Sequence, residues 1–206
     1  MWTDAYPKIA VLKNARKVTI RPLGRGDFEK LYAFFQDLPE EDRLFLRHDV
    51  GDPELIRRWT EEPDFARVLP LVAEHEGRIV ADGTLHITRH GCMQHVGHLR
   101  LAVAVSHRRA GLGAHMAREL VSLAEDRKLE KLQVHLIEDH PGPIRMFQAV
   151  GFEVVAVIKD LVKDRDGRKR NLAVMINDVA HLGRLMEDWI QDSMIPAYRV
   201  PGAEMT

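Results

Sequence analysis

Alternation of apolar and polar residues is the clearest periodic signal in the chain, and it predicts strands that bury one face. The predicted strands cover residues 18–22, 66–76, 78–89, 99–105, 131–137, 152–162 and 172–176. Glu76-Gly77 separates two of these strands, Gly91 and Gly97 mark the turn before the strand at 99–105, and Asp166-Gly167 lies between the last two. The Asp-Gly pair is a strong hairpin signal because both residues tolerate the positive φ of a tight turn. The pattern therefore predicts a sheet built largely from sequential strands.

Apolar residues three and four positions apart predict helices between these strands. One face of the first helix consists of Phe28, Leu31, Tyr32, Phe34 and Phe35. Asp27 suits the N-cap of that helix. Further helices are predicted to begin at Pro39, Pro53, about Gly113 and Pro141, and to cover 181–193. The helix near Gly113 has an apolar stripe, which consists of Leu112, Met116, Leu120, Leu123 and Ala124. This order predicts one domain at residues 17–178, with an N-terminal arm at 1–16 and a C-terminal helix and tail at 179–206.

The composition is that of an ordinary globular protein and excludes several classes of function. Hydrophobic residues make up 45% and charged residues 30% of the 206 residues, which supplies enough apolar material for a core. A formal net charge of -1 provides no global field that would attract nucleic acid or a membrane surface. A single cysteine, Cys92, excludes an internal disulfide, and no apolar run approaches the roughly 20 residues of a membrane span. The first residues do not resemble a signal peptide, so we expect a cytoplasmic protein.

The passage from strand to helix over residues 101–113 predicts an anion site. First-turn amides of a helix lack partners inside the helix and carry partial positive charge, so a phosphate group binds there readily. Gly111 and Gly113 allow the backbone to approach a ligand closely, and Arg108 and Arg109 supply charge-assisted donors. The spacing fits neither a P-loop nor a Rossmann fingerprint, since no Lys-Ser or Lys-Thr follows and a third glycine is missing.

This turn instead resembles the pyrophosphate loop of the GNAT acyltransferase superfamily. The loop has the pattern Gln/Arg-x-x-Gly-x-Gly/Ala, which Arg108, Gly111 and Gly113 match in register. A second signature of the superfamily, Asn-x-x-Ala-Ile-x-x-Tyr-x-x-x-Gly-Phe, has a counterpart over residues 140–152.

The second signature matches in part. Ile144, Gly151 and Phe152 agree with it, whereas His140 and Phe147 replace the usual Asn and Tyr. We expect His140 either to contact CoA or to cap a turn. Phe147 stands where the family often has a proton donor, and it either packs in the core or lies against the cofactor.

The resemblance implies a mixed α/β (α+β) fold with a splayed, largely antiparallel seven-strand sheet and helices on both faces. It further implies transfer of an acetyl group from acetyl-CoA to an amine, with no metal. The pantetheine arm of CoA would pair with backbone groups near Leu101, Val103 and Val105. The pyrophosphate would rest on the amides of the loop and helix start: Arg108, Arg109, Ala110, Gly111, Leu112, Gly113 and Ala114.

The general base stays open among several candidates. Glu138 and Asp139 follow a strand beside the expected thioester, and His107 precedes the pyrophosphate loop. The leaving CoA thiol resembles cysteine, with a pKa of about 8.5, and therefore leaves tolerably without an acid. Loss of acid assistance would slow the reaction by about 10²–10⁴.

Two other functions compete with acetyl transfer. Phe147 favours a non-catalytic module that only binds acyl-CoA. A metal-binding regulatory domain would use the ligand types of His86, His90, Cys92, His95 and His98, although their spacing matches no common structural zinc site.

Residues 34–47 resemble the start of GNAT domains found in bacterial protein-lysine acetyltransferases. We favour a small amine as the acceptor, because nothing in the sequence specifies a protein-docking surface, and we keep protein lysine as the alternative. The apolar face of the predicted helix at 181–193 must be covered, either by packing back on the sheet or by a dimer seam, and we favour the homodimer.

Overall fold

Eight strands form one continuous sheet in the computed structural model, which describes residues 2–179. Their order across the sheet is β1-β2-β3-β4-β5-β6-β8-β7, and every neighbouring pair is antiparallel except β5 and β6. In chain order the strands are β1 (Lys8–Val11), β2 (Lys17–Pro22), β3 (Val68–His75), β4 (Arg78–Ile87), β5 (Val96–Val103), β6 (Lys131–Ile137), β7 (Glu153–Lys163) and β8 (Lys169–Asp178).

The sheet has one strand more than the seven expected, because the predicted N-terminal arm supplies β1. This strand pairs with β2 through four residues, from Lys8 opposite Ile20 to Val11 opposite Lys17. Side chains also hold the segment in place, since Glu119 accepts hydrogen bonds from the Tyr6 hydroxyl at 3.1 Å and from Lys8 Nζ at 2.7 Å. These partners are distant in the chain, so the short local pattern did not predict the strand.

Five helices connect the strands. They are α1 (Phe28–Gln36), α2 (Glu40–Leu44), α3 (Pro53–Glu61), α4 (Leu112–Asp126) and α5 (Pro141–Gln148). Among the described residues, no helix has both the length and the apolar character that crossing a membrane requires. The helix predicted over 181–193 lies outside the described residues.

Asp27 precedes α1 as predicted, but its carboxylate does not cap the helix. It accepts hydrogen bonds of 2.7 Å from both terminal nitrogens of Arg21 and one of 2.9 Å from the Gly24 backbone. Burial alone would raise the pKa of Asp27, yet the bonds from Arg21 and Gly24 lower it overall. The carboxylate therefore fixes the connection between β2 and α1.

Helices cover both faces of the sheet, as the resemblance implied, and each face has its own core. Helix α4 packs on one face through its buried residues, which include the predicted stripe Leu112, Met116, Leu120, Leu123 and Ala124. On the opposite face, α1 and α3 bury Leu31, Phe34, Phe35 and Ile56.

Strands β5 and β6 pair over only three residues, Val96–His98 with Lys131–Gln133. Gly97, which the sequence placed in a turn, lies in this contact. A Cβ on Gly97 would come within 2.7 Å of the Leu85 side chain, so a larger residue there would force its leucine neighbours to shift. Beyond the contact, 99–103 stays with β4 and 134–137 stays with β8, and the two strands diverge. We call the gap between 99–103 and 134–137 the splay.

Candidate active site

One edge of β5 faces the splay with its backbone groups. The Ala104 N–H donates to the Val80 carbonyl of β4 at 2.9 Å. Because successive residues of a strand direct their backbone groups to opposite sides, those of Leu101 and Val103 point into the splay. This placement agrees with the pairing expected for Leu101 and Val103. Val105 belongs instead to a 3-10 turn over 105–107, so the predicted strand ended two residues too late.

The loop after β5 presents the first turn of α4. Gly111 is the N-cap residue with φ of 91°, a left-handed conformation that favours glycine, and no side chain of residues 2–179 caps the helix. The amides of Leu112, Gly113 and Ala114 therefore have no partner inside the helix. Ala110 anchors the loop, because its carbonyl accepts a 3.0 Å hydrogen bond from the Lys13 N–H. The described geometry fits an anion at this helix start. The resemblance implied that the amides of Arg109 through Ala114 hold the pyrophosphate there.

Arg108 has a different orientation from the one expected. Its backbone N–H donates to the Val105 carbonyl at 3.3 Å, which removes that amide from the anion site. Its side chain donates to the Val103 carbonyl at 2.9 Å and forms a 2.5 Å ion pair with Asp42 of α2. Arg108 thus ties α2 to the end of β5, whereas Arg109 stays exposed beside the loop.

The two carboxylates that follow β6 both have partners in β8. Asn171 Nδ2 donates to Glu138 at 2.7 Å, and Arg170 Nε donates to Asp139 at 3.0 Å. Arg170 also bonds Asp164 at 3.2 Å. Both candidate bases are exposed and already engaged, so the structure gives them a role in holding the β7–β8 hairpin.

His140 begins α5, where its N–H donates to the Ile137 carbonyl at 3.0 Å. Its ring lies 5.9 Å from that of Phe45, in an edge-to-face arrangement. Phe147 is only 2% exposed, and its ring packs 5.1 Å from Phe152. Phe147 therefore fits the core-packing interpretation, and no contact in the described residues brings it to the splay.

His107 lies beside the end of β3 rather than in the splay. Its ring is 5.2 Å from that of His75, and its Nδ1 shares a 2.9 Å hydrogen bond with the Ser106 hydroxyl. Its buried Nε2 has no hydrogen-bond partner in residues 2–179. Burial lowers the pKa of His107, with a further contribution from His75. These contacts make it a poor base for a reaction in the splay.

Asp82 is a candidate that the sequence reasoning missed. It lies in the middle of β4, opposite Ala102 of β5, and shares the α1–α3 face of the sheet. Burial deep in the domain raises the pKa of Asp82 to about 7, although solvent still reaches part of the side chain. The available signal was a lone charged side chain in an otherwise uncharged stretch of strand, Ile79 to Leu85.

The histidines and cysteine considered as metal ligands are divided between strands and a loop. His86 and His98 face each other across β4 and β5, whereas His90 and Cys92 are exposed in the connection. Within the part of the chain that the structure describes, no three His, Cys, Asp or Glu side chains are placed to share a metal ion.

A divergent pair of parallel strands, followed directly by an uncapped helix start, defines an acyltransferase-type α+β fold. Residues 29–152 match the model of the Acetyltransferase (GNAT) family. The chain belongs to this family, whose members are N-acetyltransferases.

Solved structures share the fold. The GNAT domain of S. lividans PAT has a TM-score of 0.69 at 17% identity, over 84% of this chain and 96% of that one. The ribosomal-protein-alanine N-acetyltransferase from Brucella melitensis has a TM-score of 0.66 at 25% identity, over 77% and 98%. A Vibrio cholerae spermidine N-acetyltransferase chimera has a TM-score of 0.67 at 14% identity, over 80% and 97%.

Proposed function

We propose that this chain transfers an acetyl group from acetyl-CoA to a primary amine by direct attack in a ternary complex. The observation that carries the proposal is the splay, whose open β5 edge leads straight into the uncapped start of α4. An extended pantetheine arm adds to such an edge as a further strand. A phosphate group suits the amides of Leu112, Gly113 and Ala114.

Asp82 is the base that we propose. A primary amine with a pKa of about 10.4 is mostly protonated at neutral pH and must lose a proton before it attacks. A carboxylate with a pKa of about 7 suits this transfer near physiological pH, because it is partly ionised there and still basic. The Asp82 side chain lies on the α1–α3 face of the sheet, opposite the face that α4 covers. The amine and CoA therefore approach the splay from different sides.

The bond changes follow directly. Asp82 takes a proton from the ammonium group, the amine nitrogen attacks the thioester carbonyl carbon, and the Val103 N–H supports the developing oxyanion. The new C–N bond forms as the C–S bond breaks, CoA leaves as a thiolate, and the thiolate takes up the second proton that the nitrogen loses in becoming an amide. Phe147 has no proton to give. The CoA thiol has a pKa of about 8.5, so its thiolate can leave without a side chain that protonates it.

The test measures thiol release with a panel of small amines and lysine peptides from pH 6 to 9. Transfer should rise with pH through about 7 as Asp82 ionises. The second candidate is an acyl-CoA-binding module, which the lack of a proton donor at Phe147 favours. A flat profile with only background thioester hydrolysis for every amine would support that module and refute the transferase. We further propose a cytoplasmic location, because the only cysteine, Cys92, is exposed and unpaired.

A further inference from the structure

Six basic side chains gather on the α1–α3 face of the sheet, where the splay begins. We call this group the basic patch, and it consists of Arg47, His48, His86, His98, Arg100 and His135. Within it, His86 lies opposite His98 across β4 and β5, and the His98 ring is 6.3 Å from that of His135.

The face follows from strand alternation. His98 and Arg100 share the side of β5 that carries Ala102, and Ala102 packs against the core under α1 and α3. His48 joins the patch from the connection between α2 and α3, where its ring packs 5.5 Å from Trp59. Arg47 precedes it and, with His48, lines a cavity of about 390 Å³ that Glu40 and Asp49 also line and that Arg100 does not reach.

Among residues 2–179, no carboxylate forms an ion pair with the two arginines of the patch, Arg47 and Arg100, although Arg100 is partly buried. Arginines elsewhere at the site do have carboxylate partners, as Arg108 has in Asp42 and Arg170 has in Asp139. A guanidinium that is withdrawn from water without a counter-charge is unfavourable, so the patch favours an anion.

The histidines respond to this charge. Burial and the neighbouring Arg100 lower the pKa of His86 to about 4, and burial with nearby cations also lowers the pKa of His98 and His135. The Gln133 amide donates a 2.6 Å hydrogen bond to His135 Nε2, which requires an unprotonated nitrogen there. The rings are thus neutral at pH 7, and the two arginines supply the charge.

The phosphates of CoA do not account for this patch. They belong with the helix start of α4, which covers the opposite face of the sheet. The base lies nearby, however, because Asp82 is opposite Ala102 and Thr84 is opposite Arg100. Diagonal neighbours of this kind lie about 7–8 Å apart on one face of a sheet.

We propose that the acceptor amine carries a carboxylate or phosphate group, which Arg100 and Arg47 bind while the amine approaches Asp82. This inference rests on the proposed function. Guanidinium groups bind both anions through paired N–H donors, which also orients the acceptor. A polyamine, which offers only further positive charge, is repelled by the same patch.

The test compares matched acceptors of equal length: an ω-amino carboxylate with its amide, and an aminoalkyl phosphate with its amino alcohol. The anionic member should have the higher kcat/KM by about 10- to 100-fold, mainly through a lower KM. Arg100→Gln and Arg47→Gln should each lower kcat/KM for the anionic acceptor more than for its neutral partner, which removes the preference. Arg89→Gln, at an exposed arginine outside the patch, is the control. The preferred pair identifies which anion is bound.

Equal use of neutral and anionic acceptors, or an equal loss for both in Arg100→Gln, would overturn the inference while leaving acetyl transfer intact. If no amine is acetylated, the proposed function fails and binding alone tests the patch. Inorganic phosphate, added to protein saturated with CoA, should raise the melting temperature at constant ionic strength. If phosphate raises the melting temperature of the double variant Arg47→Gln/Arg100→Gln as much as that of the wild type, the anion site is refuted.

Discussion

Asp82→Asn should make the protein more stable and much less active, because burial opposes the same charge that catalysis uses. The pKa of Asp82 in the fold, about 7, lies well above the 3.8 of an ordinary aspartate. Each pKa unit of that difference corresponds to about 1.4 kcal/mol between the two protonation states. The ionised carboxylate therefore lowers the free energy of unfolding by at most about 4 kcal/mol. Since solvent still reaches the side chain, we expect about half, roughly 2 kcal/mol.

The pH dependence has a definite sign. The pKa of Asp82 is raised in the folded protein, so the native state holds this proton more tightly than the unfolded chain. Its contribution to stability is complete below about pH 4 and declines until about pH 7, where the native carboxyl ionises. Asp82→Asn should therefore melt like the wild type near pH 4 and about 4–8 °C higher at pH 8.

Activity should change in the opposite direction. Loss of the base should lower kcat by about 10²–10⁴ and remove the rise in rate near pH 7. The matched control is Asp139→Asn, an exposed carboxylate paired with Arg170, which should retain rate and melting temperature almost unchanged. Wild-type turnover with the same pH profile in Asp82→Asn, or a large loss confined to Asp139→Asn, would refute the assignment.

Three further predictions concern the CoA loop, α5 and the assembly. Gly111→Val should abolish the thermal stabilisation by acetyl-CoA, whereas Gly167→Val, equally strained at a positive φ in the distant hairpin, should retain it. Phe147→Tyr should lower stability by about 1–3 kcal/mol without raising kcat, because the added hydroxyl is buried; a faster variant would contradict this. Sedimentation at micromolar concentration should show a dimer, since edge strand β7 exposes Val157, Ile158 and Leu161; a monomer would count against it.

Periodicity and turn chemistry are local properties, and the elements that depend on them were predictable. The stripe of α4, the Glu76-Gly77 turn and the glycine loop are each encoded within about fifteen consecutive residues. The expectation of an open edge at Leu101 and Val103 came from the family resemblance, whereas the edge itself is open because β6 pairs with β5 only over 96–98. The family resemblance itself depended on these same short stretches.

The remaining features depend on which strands become neighbours and in which register. Gly97 appeared to be a turn residue until the sheet brought Leu85, Leu129 and Leu132 around it. Asp139 appeared to be a free base until β8 placed Arg170 beside it. The burial of a side chain and the charges around it depend on residues that are distant in the chain.

The same reason explains why the sequence alone did not indicate Asp82 or the basic patch. Asp82 and Arg100 are eighteen positions apart, and nothing local marks them as diagonal neighbours on one face. A carboxylate acquires a pKa of about 7 only when the surrounding domain excludes most of its water. Arg47 and Arg100 become an anion site only because the tertiary structure brings them together and leaves both without a carboxylate among residues 2–179.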